Sequence, residues 1–289
     1  MAPDLYDDLS AGALRQALSA YGLRPRKSLG QHFLVDQRTR QDILAALELE
    51  PGDQVLEIGP GPGNLTVSLA AVAARVLAVE VDAGLARVLA EQVARWGNVD
   101  IRVADVLAAP LEEWLVRPDR WKMAGNLPYY ITSPIIFRLL ELTPPPPLLV
   151  LMVQKEFADR LSARPGTPDY GLLTVTTAFH ASVEVIRQVA SHLFWPRPEV
   201  ASALVRLRTF VTPPFDVNPA AYERTARAAF GYRRKTLGNA LAHGLGRPRE
   251  SVDAAIRAAG FDPDVRAETL SPAAFAALAA SLLSAGLLN

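Results

Sequence analysis

The chain contains no cysteine, which excludes disulfide bonds, thiolate nucleophiles and cysteine-ligated zinc. The four histidines lack the short spacing typical of metal ligands, so we expect no metal site. No apolar run approaches the roughly 20 residues that span a bilayer. The acidic start MAPDLYDDLS lacks the basic and apolar regions of a signal peptide. These absences predict a soluble, cytoplasmic protein with no membrane contact.

Net charge is also absent, because 30 basic residues balance 30 acidic ones. The charges are unevenly spread, however, and two segments are strongly basic. Such segments are typical of a face that meets a polyanion, and equally of a solvated helix surface, so charge alone leaves both interpretations open. The basic residues of the two segments are Arg24, Arg26, Lys27, Arg38 and Arg40, and then Arg224, Arg227, Arg233, Arg234, Lys235, Arg247 and Arg249.

Strand and helix patterns alternate from about residue 36 to residue 160. The runs DQVLEIG, RVLAVEVD, VDIRVAD, WKMAGNLP and the apolar stretch after the prolines at 144–147 have the character of strands, with helical spacing between them. This alternation predicts a mostly parallel sheet covered on both faces. Two later runs, SVEVIRQV and SALVRLRTF, follow each other and predict an antiparallel hairpin at the sheet edge.

The chain after residue 213 changes character. From Ala220 onward it consists of short amphipathic helices separated by glycine and proline breaks, which predicts a small all-α domain. We therefore expect an α/β domain at residues 24–212, a helical domain at 213–289 and an N-terminal extension at 1–23.

The first strand runs into the turn EIGPGPGNLT, with glycines at 59, 61 and 63. The spacing approaches that of a dinucleotide fingerprint, but the third glycine comes one residue early. Pro60 and Pro62 each remove a backbone N–H that a pyrophosphate would need. The turn is either a tight strand-to-helix connection or a site where an unphosphorylated ligand comes close to the backbone.

Polar residues follow the next three strands as well. Glu80 ends the second strand, Asp105 ends the third and Asn126 follows the fourth, so all three lie with Gly59 at the sheet edge where open α/β folds bind ligands. Either carboxylate alone could be a helix N-cap. Together they fit a nucleoside, with Glu80 accepting from ribose hydroxyls and Asp105 from the adenine amino group. S-adenosylmethionine has this anatomy and no phosphate.

Six segments, taken together and in order, resemble the ribosomal RNA adenine N6,N6-dimethyltransferases. They are LGQHFLVD, VLEIGPGPGNLT, AGNLPYYITSPI, LMVQKEFADRL, FWPRPEVASALVRL and FGYRRKTLGNAL. The resemblance runs from about Lys27 to the C-terminus. It implies a Rossmann-like class I methyltransferase fold with a C-terminal helical domain, S-adenosylmethionine as cofactor, and dimethylation of two adjacent adenosines in the 3′-terminal hairpin loop of small-subunit rRNA in an assembling ribosomal subunit.

The resemblance also assigns residues by matching motif. The implied cofactor contacts are His32, Leu34, Gly59, Glu80, Asp105 and Asn126, with Gly61 in the same turn. His32 stands where the family usually has asparagine. A second aromatic that stacks on the target base is implied at Phe194. The basic residues expected to bind RNA are Arg26, Lys27, Arg233, Arg234 and Lys235.

The NLPY segment supplies the chemistry. An adenine N6 amine is a poor nucleophile because its lone pair is delocalised into the ring, but hydrogen-bond acceptors can hold it in line with the methyl donor. The Asn126 side-chain oxygen and the Leu127 carbonyl are such acceptors, and Pro128 fixes their turn. Tyr129 offers a face on which an extruded base can stack. Tyr130 is expected to pack instead.

Three other functions compete with this interpretation. Large-subunit rRNA dimethylases share the glycine turn and NLPY, although FGYRRKTLGNAL favours the small-subunit group. A DNA adenine methyltransferase shares only the acceptors. An RNA-binding assembly factor could matter more for its presence than for its catalysis. No long apolar stripe demands a partner subunit, so we expect a monomer.

Overall fold

The computed structural model describes residues 10–232 and 234–288. They form two compact units, which we describe separately. The first contains residues 10–158 and Val183–Val211, and the second contains Asp159–Ser182 and residues 212–288. Asp159–Ser182, which the sequence predicts to belong to the α/β domain, is thus grouped with the C-terminal helices. The reason is hydrophobic, because Val175 and Phe179 share one buried cluster with Tyr222.

Strands and helices extend throughout the described residues. The strands are β1 (Phe33–Leu34), β2 (Gln54–Ile58), β3 (Arg75–Glu80), β4 (Val99–Val103), β5 (Trp121–Asn126), β6 (Leu148–Gln154), β7 (Ala181–Val189), β8 (Phe194–Trp195) and β9 (Ser202–Thr209). The helices are α1 (Ala11–Ala20), α2 (Gln37–Leu47), α3 (Thr66–Ala70), α4 (Ala83–Gln92), α5 (Leu111–Trp114), α6 (Thr132–Leu140), α7 (Lys155–Leu161), α8 (Leu172–His180), α9 (Pro219–Phe230), α10 (Leu237–Leu245), α11 (Arg249–Ala258) and α12 (Pro272–Ser284).

The main sheet has the strand order β4-β3-β2-β5-β6-β9-β7. Neighbours from β4 to β6 run parallel, and β9 runs antiparallel to β6. The strands of the predicted hairpin, β7 and β9, are neighbours at one end of the sheet. The mostly parallel sheet with an antiparallel end is therefore confirmed. Its order reverses at β2, so the ends of β2 and β5 border the crevice where such sheets bind ligands.

Helix starts follow local chemistry. Asp36 caps α2 by accepting from Thr39 N at 2.8 Å, and Asp82 caps α4 by accepting from Gly84 N at 2.9 Å. Helix α6 begins at Thr132, so Pro134 lies within its first turn. A proline is tolerated there because N–H groups of the first helical turn have no intrahelical partner.

Two elements near the N-terminus were not expected. Helix α1 buries Leu14 and Leu18 in one cluster with Phe33. Strand β1 pairs antiparallel with β8, placing Phe33 opposite Trp195 and Leu34 opposite Phe194. This short ladder joins the LGQHFLVD and FWPRP segments, which lie far apart in the sequence.

The second unit is helical, which confirms the all-α prediction for the C-terminal part of the chain. Tyr222, Leu241, Ile256 and Phe275 form its core and are at most 1% exposed. The buried Tyr222 hydroxyl donates to Val175 O at 3.0 Å, which satisfies a polar group that would otherwise destabilise this core. In the part of the chain that the structure describes, no helix is both long and apolar enough to cross a bilayer.

Candidate active site

A cavity opens at the carboxyl ends of β2, β3, β4 and β5, and it brings together all but one of the residues expected to bind the cofactor. Leu34 is the exception. Its side chain is buried in the core, and its carbonyl accepts from Asn64 Nδ2 at 2.8 Å. The predicted residues that line the cavity are His32, Gly59, Gly61, Glu80, Asp105 and Asn126.

The glycine turn gives the cavity its shape. Gly59 and Gly61 have φ angles of 66° and 58°, in the left-handed region that favours glycine. A Cβ on Gly61 would lie 2.8 Å from the ring of Phe33, which itself lines the cavity. The Gly61 N–H donates within the protein, to Glu80 Oε2 at 3.0 Å. The turn therefore allows a ligand to approach closely without offering this N–H to a phosphate.

Glu80 is buried and is held by two backbone groups. Its Oε2 accepts from Gly61 N, and its Oε1 accepts from Asp82 N at 2.9 Å. Burial raises the pKa of this carboxyl group, and the two hydrogen bonds oppose that effect. Each carboxylate oxygen retains a further lone pair. A ligand with two neighbouring hydroxyls, such as a ribose, can donate to them.

Asp105 lies just beyond β4, lines the same cavity and is exposed. Its Oδ1 accepts from Leu107 N at 2.9 Å, which fixes the carboxylate and leaves Oδ2 to accept from an amino group. Ile58, Val81 and Leu107 supply apolar walls. Acceptors for a ribose and for an exocyclic amine, apolar walls for a flat base and a turn unsuited to phosphate fit S-adenosylmethionine.

Asn126 ends β5 at the border of this cavity. Its Nδ2 donates to His32 O at 2.5 Å, which leaves its Oδ1 as an acceptor. The next residue, Leu127, has a buried side chain, and its N–H donates to Met152 O at 3.1 Å. No described residue donates a hydrogen bond to the Leu127 carbonyl. Two neighbouring acceptors are therefore available, and Pro128 also lines the cavity.

Tyr130 is not packed as expected, and Tyr129 is the more buried of the two tyrosines. Tyr129 is half-buried, and its hydroxyl lies 2.8 Å from Ser202 Oγ. Burial raises the pKa of Tyr129. Tyr130 is 61% exposed and lines the cofactor cavity rather than packing beneath a loop. The cause is the 3₁₀ turn Tyr129–Ile131, which directs the neighbouring side chains to different surroundings.

Tyr129 lines a second cleft beside the cofactor cavity. Gln31 and His32 line both, so the two spaces adjoin. Gln31 is held in place because its Nε2 donates to Asp82 Oδ2 at 3.1 Å and its Oε1 accepts from Arg26 N at 2.7 Å. The sequence offered no reason to single out Gln31, since its position depends on contacts outside its own segment.

Phe194 does not reach either space. It is 3% exposed and packs in the core with Leu34, whereas the next residue, Trp195, lines the second cleft. This differs from the assignment of the second stacking ring to Phe194. Consecutive side chains of a strand point to opposite faces, so within β8 one ring is turned inward and the other outward.

The basic residues fall into different surroundings. Lys27 lines the second cleft, while Arg26 is 60% exposed and its Nε lies 3.5 Å from Asp82 Oδ2. In the second unit Arg234 and Lys235 are exposed. Arg233 lies outside the described residues. Other arginines of the C-terminal basic segment have structural partners, and Arg249 is an example because its Nε lies 2.6 Å from Asp253 Oδ1.

The described residues contain no group of three or more histidine, aspartate or glutamate side chains arranged to hold a metal ion.

Known proteins are similar to this chain over most of its length. Residues 22–283 match the family described as ribosomal RNA adenine dimethylase. The chain is 43% identical over 288 residues to a ribosomal RNA small subunit methyltransferase A from Pelotomaculum thermopropionicum, covering 96% of this chain and 98% of the relative. It is 41% identical to the protein of the same name from Geobacillus thermodenitrificans, covering 96% and 97%.

Solved structures agree as well. A dimethyladenosine transferase from Plasmodium falciparum is similar with a TM-score of 0.76 at 26% identity, covering 88% of this chain and 98% of that one. The 23S rRNA methyltransferase ErmE is similar with a TM-score of 0.67 at 33% identity, covering 86% and 99%. The resemblance that six segments carry is thus confirmed over most of the chain. The protein belongs to the ribosomal RNA adenine dimethylase family and is an rRNA adenine dimethyltransferase that uses S-adenosylmethionine.

Proposed function

We propose that this enzyme dimethylates N6 of two adjacent adenosines in the 3′-terminal hairpin loop of small-subunit rRNA, acting as a monomer on an assembling subunit in the cytoplasm. The relatives named as small-subunit methyltransferases support this substrate, since they align along nearly their whole length. The segment FGYRRKTLGNAL, which resembles the small-subunit group, supports it as well.

The geometry of Asn126 carries the proposal. Donation from Nδ2 to His32 O fixes the amide, so that Oδ1 is the atom left to accept from a substrate amine. Asn126 lines the cofactor cavity, and the adjoining cleft contains Tyr129. An acceptor is therefore located where a base on Tyr129 and a methyl group in the cavity would meet.

The chain's residues act by positioning the amine. S-adenosylmethionine, when bound, supplies an electrophilic methyl group. Asn126 Oδ1 and the Leu127 carbonyl accept from the N6 hydrogens and hold the nitrogen lone pair towards that methyl group. The nitrogen would gain the methyl group as the methyl–sulfur bond breaks and leaves its electron pair on sulfur, and the nitrogen would then lose one proton to solvent. In the second transfer the same acceptors hold the one remaining N–H.

Tyr129 holds the target base. Its hydroxyl is anchored by Ser202, a fully buried residue of β9, so the ring has a fixed orientation before substrate arrives. A base stacked on such a ring gains about 1–3 kcal/mol. A fixed ring lowers the ordering cost of binding, which favours in-line transfer.

Asn126→Ala tests the acceptor role. We expect methyl transfer to rRNA to fall by at least about a hundredfold, while the cofactor Kd and the thermal unfolding temperature change much less. Gln41→Ala is the matched control, because it removes an exposed amide of α2 that lies outside both cavities. Full activity in Asn126→Ala would remove the basis of the proposal.

Basic residues in both units are proposed to bind the rRNA backbone: Arg26, Lys27, Arg233, Arg234 and Lys235. Lys235 Nζ lies 4.7 Å from the centroid of the Tyr232 ring, so the described part of this segment presents a cation beside an aromatic face. Replacing Arg233, Arg234 and Lys235 together by alanine should weaken RNA binding and flatten its salt dependence. An unchanged salt slope would show that these side chains do not neutralise phosphates.

Experiment can distinguish the proposed function from two alternative functions. The likeness to ErmE favours large-subunit rRNA as a second candidate. Mass analysis of both rRNAs from cells lacking the enzyme decides between them, because only the true substrate loses its dimethyladenosines. Subunit maturation with the Asn126→Ala variant, compared with a deletion, shows whether the protein acts mainly as an assembly factor.

A further inference from the structure

We propose that helix α1 and Trp195 form a second nucleotide site, which holds the single-stranded RNA nucleotide next to the target adenosine. The site stacks the neighbouring base on Trp195 and holds the adjoining phosphates with Arg15, Arg24 and Lys27. This inference rests on the proposed RNA substrate and gives the N-terminal extension a part in binding it.

Helix α1 is firmly attached to the first unit. Leu14, Ala17 and Leu18 are at most 1% exposed and pack in one cluster with Phe33 and Leu85. Ser10 caps the helix by accepting from Ala13 N at 3.2 Å. A helix with a buried apolar face presents its opposite face in a defined position. Residues on that face can therefore contribute to a specific site.

The other face of α1 forms one wall of the cleft that contains Tyr129. Arg15 and Ser19 are exposed there. The guanidinium carbon of Arg15 lies 5.6 Å from the centroid of the Trp195 indole. Arginine stacked over tryptophan is a common way to hold both a base and its phosphate, since the cation stays available to the anion.

Trp195 lines the same cleft as Tyr129, the ring proposed to hold the target base. It pairs with Phe33 between β8 and β1, and the two ring centroids are 6.5 Å apart. Phe33 in turn contacts the glycine turn at Gly61 and lines the cofactor cavity. No described residue accepts a hydrogen bond from the Trp195 indole N–H. A partly exposed indole with an unused donor suits a base that arrives from solvent.

The charges of the cleft favour the binding of a polyanion. Within residues 10–232 and 234–288, no acidic side chain forms an ion pair with Arg15, Arg24 or Lys27. Other arginines of this unit do have such partners, as Arg187 does with Asp42 at 2.6 Å. The lining residues include one acid, Glu199, against these three cations and Arg197. Several cations around an aromatic ring are typical of single-stranded nucleic-acid sites.

One cleft therefore contains two aromatic platforms. Tyr129 lies at its border with the cofactor cavity, and Trp195 lies in its wall beside α1. When one base is stacked on Tyr129, the adjacent nucleotide of the RNA would lie in the same cleft, where the Trp195 ring is available for stacking. Because the proposed target is a pair of adjacent adenosines, the site would hold one while the other reacts.

The test uses the full-length enzyme and small-subunit particles from cells that lack it. We expect Arg15→Ala and Trp195→Ala each to raise the KM for particles by on the order of tenfold, as for the loss of one stacked base. The cofactor Kd should not change. Trp195→Phe keeps a stacking ring and should restore most of the affinity. Arg87→Ala, an exposed arginine of α4 outside both cavities, is the charge-matched control.

A binding cycle identifies the base contact. The Kd is measured for an RNA hairpin with two adjacent loop adenosines, and for the same hairpin with an abasic site at one of them. The abasic change should weaken the wild-type enzyme about tenfold and add little to Trp195→Ala. Equal losses in both enzymes, or a wild-type KM for Arg15→Ala, would overturn the second site and leave α1 as a purely structural helix.

Two controls keep the outcome interpretable. Trp195 packs against Phe33, so thermal unfolding of each variant is recorded, and Arg15→Ala serves as the surface variant that should fold normally. Failure of the proposed function looks different, because the wild-type enzyme would then transfer no methyl groups to small-subunit particles. Failure of the second site leaves wild-type transfer intact and removes only the variant effects.

Discussion

The imidazole of His32 lies nearly parallel to the ring of Tyr129, with centroids 6.0 Å apart and planes inclined by 20°. Its Nδ1 is 2.7 Å from Pro196 O. Because a carbonyl oxygen can only accept, Nδ1 is the donor in this hydrogen bond. His32 thus braces the ring proposed to hold the target base and forms the border between the two cavities.

His32→Ala is expected to lower kcat/KM for rRNA by about tenfold, because Tyr129 loses its neighbour and the border between the cavities opens. His32→Asn, which introduces the residue usual in the family, keeps a donor for Pro196 O and should retain more activity. Steady-state kinetics with small-subunit particles measure both. Equal losses in the two variants would show that the hydrogen bond to Pro196 has no role.

Tyr129→Ala should lose about 1–3 kcal/mol of base stacking, and kcat/KM should fall by the corresponding factor. Tyr129→Phe keeps the ring and loses only the hydroxyl that meets Ser202 Oγ. We expect it to cost about 1 kcal/mol of folding stability and much less activity than the alanine variant. Denaturant unfolding and methyl-transfer rates separate these effects. If the phenylalanine variant were as inactive as alanine, the hydroxyl rather than the ring would matter.

Gly61→Ala should disrupt the cofactor cavity. Its Cβ would lie 2.8 Å from Phe33, in addition to the strain of a φ near 58°. Gly246→Ala is the matched control, because Gly246 has a φ of 64° and nothing within 4 Å of the added Cβ. Both should lose about 1–2 kcal/mol from backbone strain. Gly61→Ala alone should also weaken cofactor binding, as measured by calorimetry.

Glu57, on β2, should make the free energy of unfolding depend on pH. Burial raises the pKa of this carboxyl group to about 8, from a usual value of 4.5. Between those values the folded protein keeps a proton that the unfolded chain releases, so this group's contribution to stability falls as pH rises, by at most about 1.4 kcal/mol per pH unit.

Glu57→Gln removes that titration. The variant should be about as stable as the wild type near pH 5 and more stable than the wild type at pH 8. Exposed Glu113→Gln is the control and should follow the wild-type profile. Urea unfolding from pH 5 to pH 8 provides the comparison. Parallel profiles for Glu57→Gln and the wild type would mean that the buried carboxyl group does not titrate in this range.

Much of the cofactor cavity could be predicted from local patterns. Glu80, Asp105 and Asn126 each follow a strand of a parallel sheet, and strands that run parallel bring such ends to one edge. The glycines at 59 and 61 indicate a turn whose backbone conformation only glycine adopts easily. These predictions depend on features within each segment and on the direction of the strands, so they needed no knowledge of distant contacts.

The orientations of neighbouring aromatic side chains could not be predicted in this way. Tyr129 is held by Ser202, which begins β9, the last strand of the sheet in chain order. Phe194 is buried because β8 pairs with β1. Either pair of adjacent rings could have been turned the other way without changing the local pattern. A shift of one residue moves a side chain from the core to the cleft, and only the pairing of distant segments decides it.

The amino-acid sequence by itself therefore determined the α/β architecture, the acceptors at the strand ends and the membership of a methyltransferase family, because all three depend on periodicity and short motifs. Tertiary structure alone decided that Tyr130 is exposed, that Trp195 rather than Phe194 lines the cleft, and that α1 forms part of its wall. The reason is that burial and side-chain direction depend on which distant segments pack together, and that packing is a property of the whole folded unit.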